Sequence, residues 1–151
     1  MTRIVFATPS QRAYDGIGAA QFGQRWNARG TRAAYASSTL SLAALEYLGT
    51  LVDLDDAPSD LVCVQAEFDE AVIEVADPRR IEDWNATRPA GSVTFGTRWL
   101  QERRSVALRV PSVMIPQESN FVLNPEHPDF ERAVEIGAAE PFVFDARLLR
   151  R

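Results

Sequence analysis

Three short stretches carry side chains whose types and spacing could do chemistry. The first is Gly23-Gln24-Arg25-Trp26-Asn27. Glycine there lets the backbone approach a ligand, and arginine offers a planar fork for a phosphate. The same run also describes a surface arginine beside a core tryptophan. The second is Glu46, the only charged residue from Ala33 to Val52. A carboxylate on a nearly all-round apolar helix must be solvated, paired with an arginine, or held in a cleft, because an unpaired buried charge is too costly. In a cleft it can face a developing positive charge. The third is Val110-Pro111-Ser112, followed by Pro116 to Pro128. A serine after a proline at a strand break can aim its hydroxyl into a cleft. His127, the single histidine, lies in a proline-rich turn, so Ser112 has no identified base and reads as a hydrogen-bonding group rather than a nucleophile.

These residues must be positioned by short elements. Arg3 to Ala7 reads as an opening strand stopped by Pro9, and Thr8 to Arg32, punctuated by four glycines, as loop around a short strand near Arg25-Trp26. Ala33 to Ala36 reads as a second strand. Ser37-Ser38-Thr39 supplies an N-cap for a helix to about Val52, with Leu40, Ala44, Tyr47, Leu48 and Leu51 on one face. Leu61 to Phe68 alternates as a strand, and Ala71 to Val75 is expected to pair with it through Asp69-Glu70. A helical turn over Pro78 to Asn85 and a helix over Ser92 to Arg103 follow. Strands are expected at Val106–Val110, Val113–Ile115, Phe121–Leu123 and Pro141–Phe144, with a helical turn near Asp129 to Arg132. Many short strands with few helices predict an α+β fold, in one domain over residues 1–151.

Composition narrows the function further. The chain has 151 residues, 46% hydrophobic and 25% charged, in the range of globular proteins. Its longest weakly charged run contains Glu46, which argues against a membrane span. The start Met-Thr-Arg-Ile-Val-Phe lacks the apolar run of a signal peptide, so a cytoplasmic location is expected. One cysteine and one histidine disfavour an internal disulfide and a Cys- or His-built metal centre, so no metal is expected. Residues 1–50 carry five arginines against Asp15 and Glu46, whereas residues 51–151 carry eleven against nineteen acids. The net charge of −5 disfavours nucleic-acid binding, while the basic first third suits a small anion.

In order along the chain stand Gly16-Ile-Gly-Ala19, Gly-Gln-Arg-Trp-Asn27, Tyr35-x-Ser37, Ala44-Leu-Glu46, Val-Pro-Ser112, Asn120, Leu-Asn-Pro125-x-His-Pro128 and Phe144-Asp-x-Arg147. No single motif is decisive, but the ordered set is specific, and it resembles the RES-domain toxin family over nearly the whole chain. The family is named for an Arg, a Glu and a Ser, which would be Arg25, Glu46 and Ser112. The resemblance implies the toxin half of a bacterial toxin–antitoxin pair, with a fold similar to the ADP-ribosyltransferase toxins. It implies degradation of NAD+ or transfer of its ADP-ribose, and an Xre-like helix-turn-helix antitoxin in an oligomeric complex. Carried over by residue, Arg3 matches the family's early arginine and Tyr35 its strand tyrosine. Arg3, Arg25, Tyr35, Ser112 and Asn124 are then expected to bind NAD+ or phosphate, and Glu46, Arg25 and Ser112 to form the catalytic set. Where the family usually reads Gly-Gly-Arg-Trp-Asn, Gln24 replaces the second glycine, which predicts a less free loop backbone.

Elementary chemistry agrees with this implication. Breaking the nicotinamide–ribose bond builds oxocarbenium character on the sugar, which a fixed carboxylate stabilises. Nicotinamide leaves neutral, so no general acid is needed. The expectation is NAD+ as substrate rather than prosthetic group, with inorganic phosphate as co-substrate in a phosphorolysis or water in a hydrolysis. The alternatives are mono-ADP-ribosylation of a host protein, or a non-catalytic protein-binding module of the same fold.

Overall fold

The computed structural model describes residues 1–149. In chain order its elements are β1 (Thr2–Ala7), α1 (Ile17–Phe22), β2 (Ala34–Ser37), α2 (Leu40–Leu48), β3 (Val62–Cys63), β4 (Gln65–Asp69), β5 (Ile73–Val75), α3 (Ala90–Glu102), β6 (Ala107–Pro111), β7 (Ser119–Leu123), α4 (Phe130–Ala133), β8 (Glu135–Ile136) and β9 (Glu140–Pro141). Seven strands form one sheet in the order β5-β6-β7-β2-β1-β4-β8, and β3 and β9 form a separate ribbon. All pairs are antiparallel except β5–β6. The architecture is α+β, as expected.

Side chains alternate across a strand, so each sheet face has its own core. One face gathers Val5, Ala7, Ala34, Ala36, Ala66, Phe68, Phe121 and Leu123, covered by Tyr14, Phe130 and Val134. The other gathers Leu108, Val110 and Val122 under Trp26, Trp99 and Leu100. The second face belongs to α3, whose Trp99 is fully buried and donates from Nε1 to Ser105 Oγ at 2.8 Å.

Helix α2 lies along β1 and β2. Thr39 caps it, its hydroxyl accepting the Leu42 amide at 3.1 Å, as the Ser-Ser-Thr run predicts. The helix ends at Leu48, earlier than its apolar pattern suggests. Thr50 N and Leu51 N reach back only three residues, to Tyr47 O and Leu48 O, so the last turn tightens beyond Gly49.

The strand expected over Pro141–Phe144 is confined to Glu140–Pro141, which pairs with β3. Local bonds account for three further departures. Asp69 Oδ1 accepts the Ala71 amide at 2.8 Å and caps a 3-10 turn over Glu70–Val72. That turn leads the chain away from β4, so β5 pairs in parallel with β6 rather than in a hairpin with β4. Val113–Ile115 forms no strand, because the Ser112 hydroxyl accepts the Ile115 amide at 3.0 Å and closes a turn between β6 and β7. The strand expected near Arg25-Trp26 is a tight turn in which Gln24 and Asn27 exchange backbone bonds, and the loop before it contains α1.

Candidate functional site

Three strand ends and one helix converge on Glu46. Ser112 follows the last residue of β6, Asn120 lies near the start of β7, and Ser37 ends β2 directly opposite Asn120. Ser112 Oγ donates to Glu46 Oε1 at 2.6 Å, and Asn120 Nδ2 donates to the same oxygen at 2.7 Å. Ser37 Oγ donates to Asn120 Oδ1 at 2.7 Å, which turns the amide so that its NH2 faces the carboxylate. One carboxylate oxygen is thereby fixed by two donors, while Oε2 receives no hydrogen bond among the described residues. No arginine lies within ion-pair distance of Glu46 among those residues. The arginine-paired reading of this carboxylate is therefore set aside.

Glu46 and Asn120 line a cavity of about 580 Å³, together with Arg25, Trp26, Tyr35 and Met114. A smaller hollow of about 350 Å³ adjoins it, sharing Thr8, Gln24, Tyr35 and Thr50.

Arg25 reaches this cavity from the turn after α1. Gly23, at φ +72°, sits in the left-handed region, and a side chain there would approach the Arg29 amide at 3.1 Å. Gln24 lies outside that region and is exposed, so the glycine that the family usually has at its position is not required by the local backbone. Helix α3 clamps the turn from behind. Ser92 Oγ donates to Arg25 O at 2.8 Å, and Thr97 Oγ1 accepts the Ala28 amide at 2.8 Å. Gly96 lies so close that a Cβ would stand 1.9 Å from Trp26 O.

Arg25 Nη1 donates to Trp84 O and Ala86 O at 2.7 and 2.8 Å. Its Nε and Nη2 make no bond to the described residues. Burial draws the guanidinium below its usual range, opposed by the negative charge of Glu46 and by Tyr35. It remains a cation at neutral pH. The cavity thus holds one cation and one anion that share it without forming a contact pair.

Tyr35 is a positioning group as well as a wall. Its hydroxyl donates to Asn27 Oδ1 at 2.6 Å and accepts the Trp26 amide at 3.1 Å. Burial pushes the phenol's pKa up, so it stays protonated. Asn27 Nδ2 in turn donates to Ala19 O and Thr31 O, tying the turn to α1.

Of the residues singled out in the sequence, Arg25, Glu46 and Tyr35 line the cavity and Ser112 is bonded to Glu46. Ser112 is fully buried and spends its hydroxyl proton on Glu46, so it orients the carboxylate rather than touching a ligand. Arg3 and Asn124 lie elsewhere. Arg3 shares strand parity with Val5 and Ala7, which carries it to the opposite face of the sheet. There its Nη2 donates to Glu70 Oε1 at 2.8 Å and its guanidinium lies 5.8 Å from the Phe121 ring centroid. Asn124 is 1% exposed and spends its amide on Leu100 O and the Glu126 N–H, joining β7 to α3. Asn120 and Ser37 were not among the expected site residues, although both fall within the ordered motifs. Their signal is a polar residue at the end of an apolar run, Ser37 closing β2 and Asn120 opening the apolar part of β7. Ser92, Gly96 and Thr97 carry no such signal.

The RES domain model matches residues 1–145. The chain is 35% identical to "Toxin Res" of Yersinia enterocolitica, over 97% of each chain. It is 37% identical to the "Prs ADP-ribosylating toxin" of Sphingobium, over 90% of this chain and 86% of that one. Among solved structures it is similar to a chain of the M. tuberculosis MbcT–MbcA toxin–antitoxin complex. That match has a TM-score of 0.66 at 14% identity and covers 94% of this chain and 85% of that one. At that identity the likeness shows the fold alone. With the family model spanning nearly the whole chain and a relative 35% identical from end to end, the chain belongs to the RES domain family.

Proposed function

We propose that this protein is the toxin of a toxin–antitoxin pair and that it cleaves the nicotinamide–ribose bond of NAD+. The observation that carries the reading is Glu46. Its carboxylate is fixed by Ser112 and Asn120 at the wall of a cavity, with no arginine partner among the described residues to neutralise it. Such a group is oriented before reaction and is worth most where positive charge develops. Here that place is the ribose C1′ as the bond to nicotinamide breaks. The bond's electron pair leaves with nicotinamide and neutralises its ring, so a protein acid is not required. An oxygen of phosphate or water forms the new bond to C1′. Arg25, with Nε and Nη2 left to the cavity, is suited to hold the dinucleotide's pyrophosphate.

The names of the relatives support a toxin. "ADP-ribosylating" in one of them favours a second reading, in which a protein side chain takes the ADP-ribose from the same site. Incubation of the pure protein with NAD+, with and without phosphate, followed by chromatography separates the two. Phosphorylated or free ADP-ribose supports cleavage. Intact NAD+ until a target protein is added supports transfer, and intact NAD+ under all conditions leaves a binding module. Expression without a partner should arrest bacterial growth and lower cellular NAD. An Xre-like helix-turn-helix protein is the expected antitoxin, and a cytoplasmic location follows from a substrate found there. No helix among the described residues is long and apolar enough to cross a membrane.

A further inference from the structure

Arg25 also lines another hollow, of about 620 Å³, together with Phe22, Arg29, Thr87, Arg88 and Val93, whereas Glu46 does not line it. It neighbours the Glu46 cavity, since Phe22, Gly23, Gln24 and Arg25 line both. Three arginines line it, and its lining contains no Asp or Glu among the described residues. This is unusual within this chain, where acids outnumber basic residues 21 to 16. Arg3, Arg12, Arg32, Arg79, Arg104, Arg132 and Arg147 each stand beside a carboxylate. The Arg29 and Arg88 side chains, both exposed, form no hydrogen bond or ion pair among the described residues; Arg80, Arg98 and Arg103 share that property, but they do not line this hollow.

We propose that Arg29 and Arg88 complete, with Arg25, an anion subsite that takes a phosphate group beside the Glu46 cavity. Like charges gathered without counterions repel one another, and an arriving phosphate relieves that repulsion while accepting bidentate bonds from the forks. The backbone that carries them is anchored. Arg29 follows the turn in which Gly23 packs against its amide, and Arg88 follows the segment whose Trp84 and Ala86 carbonyls are held by Arg25. The phosphate could come from two sources, the pyrophosphate of the dinucleotide or free inorganic phosphate. The assignment of either source rests on the reading of the Glu46 cavity as NAD-acting; phosphate binding itself does not.

The test uses the full chain and the R29Q/R88Q double variant. Neither residue has a partner to lose among the described residues, so the variant should melt close to the wild type. Inorganic pyrophosphate and inorganic phosphate are titrated separately while the melting temperature is followed. At least one of them should stabilise the wild type, with binding weakened about tenfold or more in the variant, as expected for lost charge-assisted bonds. No stabilisation of the wild type, or equal stabilisation of both proteins by each anion, overturns the subsite. This readout stands whether or not NAD+ is cleaved, so its failure and the failure of the NAD reading are told apart. Where NAD+ is turned over, a raised KM for NAD+ in the variant assigns the dinucleotide and a raised KM for phosphate assigns the acceptor. An unchanged KM for both overturns a role for the subsite in turnover.

Discussion

The two faces of the central sheet each hold a charged pair of residues, and they use charge in opposite ways. On one face Arg3 and Glu70 form an ion pair, half exposed, and the arginine lies over Phe121. Such a pair neutralises itself and contributes little, about 0–1 kcal/mol of stability. On the other face Arg25 and Glu46 share a cavity, but each is held by neutral groups. Backbone carbonyls hold the arginine, and a serine and an asparagine hold the carboxylate. Their charges remain available to a ligand. Holding a charge with neutral hydrogen-bonding groups orients it without spending it, and this distinguishes a candidate site from a structural pair.

Short of removing the Glu46 charge itself, the contrast is broken most severely by placing a second charge in the neutral network. Asn120→Asp replaces a donor 2.7 Å from Glu46 Oε1 with a carboxylate. Two carboxylates so close cannot both ionise readily, so the proton affinity of the pair rises. If turnover needs ionised Glu46, activity near neutral pH should fall on the order of 100-fold, and the pH–rate profile should move to higher pH. An unshifted profile would remove Asn120 from the account.

A smaller effect is expected for Arg25→Lys, which keeps the charge and loses the fork. The ammonium cannot both hold the Trp84 and Ala86 carbonyls and grip a phosphate bidentately. The change should cost about 1.5–3 kcal/mol of ligand interaction, read as a weaker affinity for NAD+. Equal affinity would return Arg25 to the role of a surface arginine beside a core tryptophan. The smallest effect belongs to Arg3→Ala on the opposite face. Its melting temperature should drop slightly, and its KM for NAD+ should match the wild type within about twofold. A large rise in KM would show that the sheet does not separate the two faces functionally.

Much of this arrangement is legible in the residues, for reasons that differ by element. The cap at Thr39, the apolar helix and its single carboxylate locate Glu46 on α2 without a structure. The glycine-rich run before Arg25 foretells a loop, but the short strand expected at Arg25-Trp26 is a tight turn closed by Gln24 and Asn27. Strand parity is harder to read. In Arg3-Ile-Val-Phe-Ala7 every position after the arginine is apolar, so nothing in the run says which face Arg3 takes. Its side follows from pairing of Arg3 with Phe68, a non-local contact. Asn124 illustrates the same limit, because its amide is consumed by the Leu100 carbonyl on a helix 24 residues earlier. Ser112 looked able to touch a ligand, and only the fold shows that its proton goes to Glu46. The expected hairpin between β4 and β5 fails because the Asp69 carboxylate caps a turn, a local event that alternation does not record.

The account depends above all on what the Glu46 charge does, and Glu46→Gln tests it on a single sample. The amide keeps the size of the side chain, and its oxygen can still accept from Ser112 and Asn120, but the charge is gone. Melting temperature, kcat and KM for NAD+ should be measured together. The account predicts a folded protein that melts near the wild type, with kcat reduced on the order of 100- to 1000-fold and KM changed far less. A variant whose folded fraction turns over NAD+ at the wild-type rate would contradict it, whatever its melting temperature.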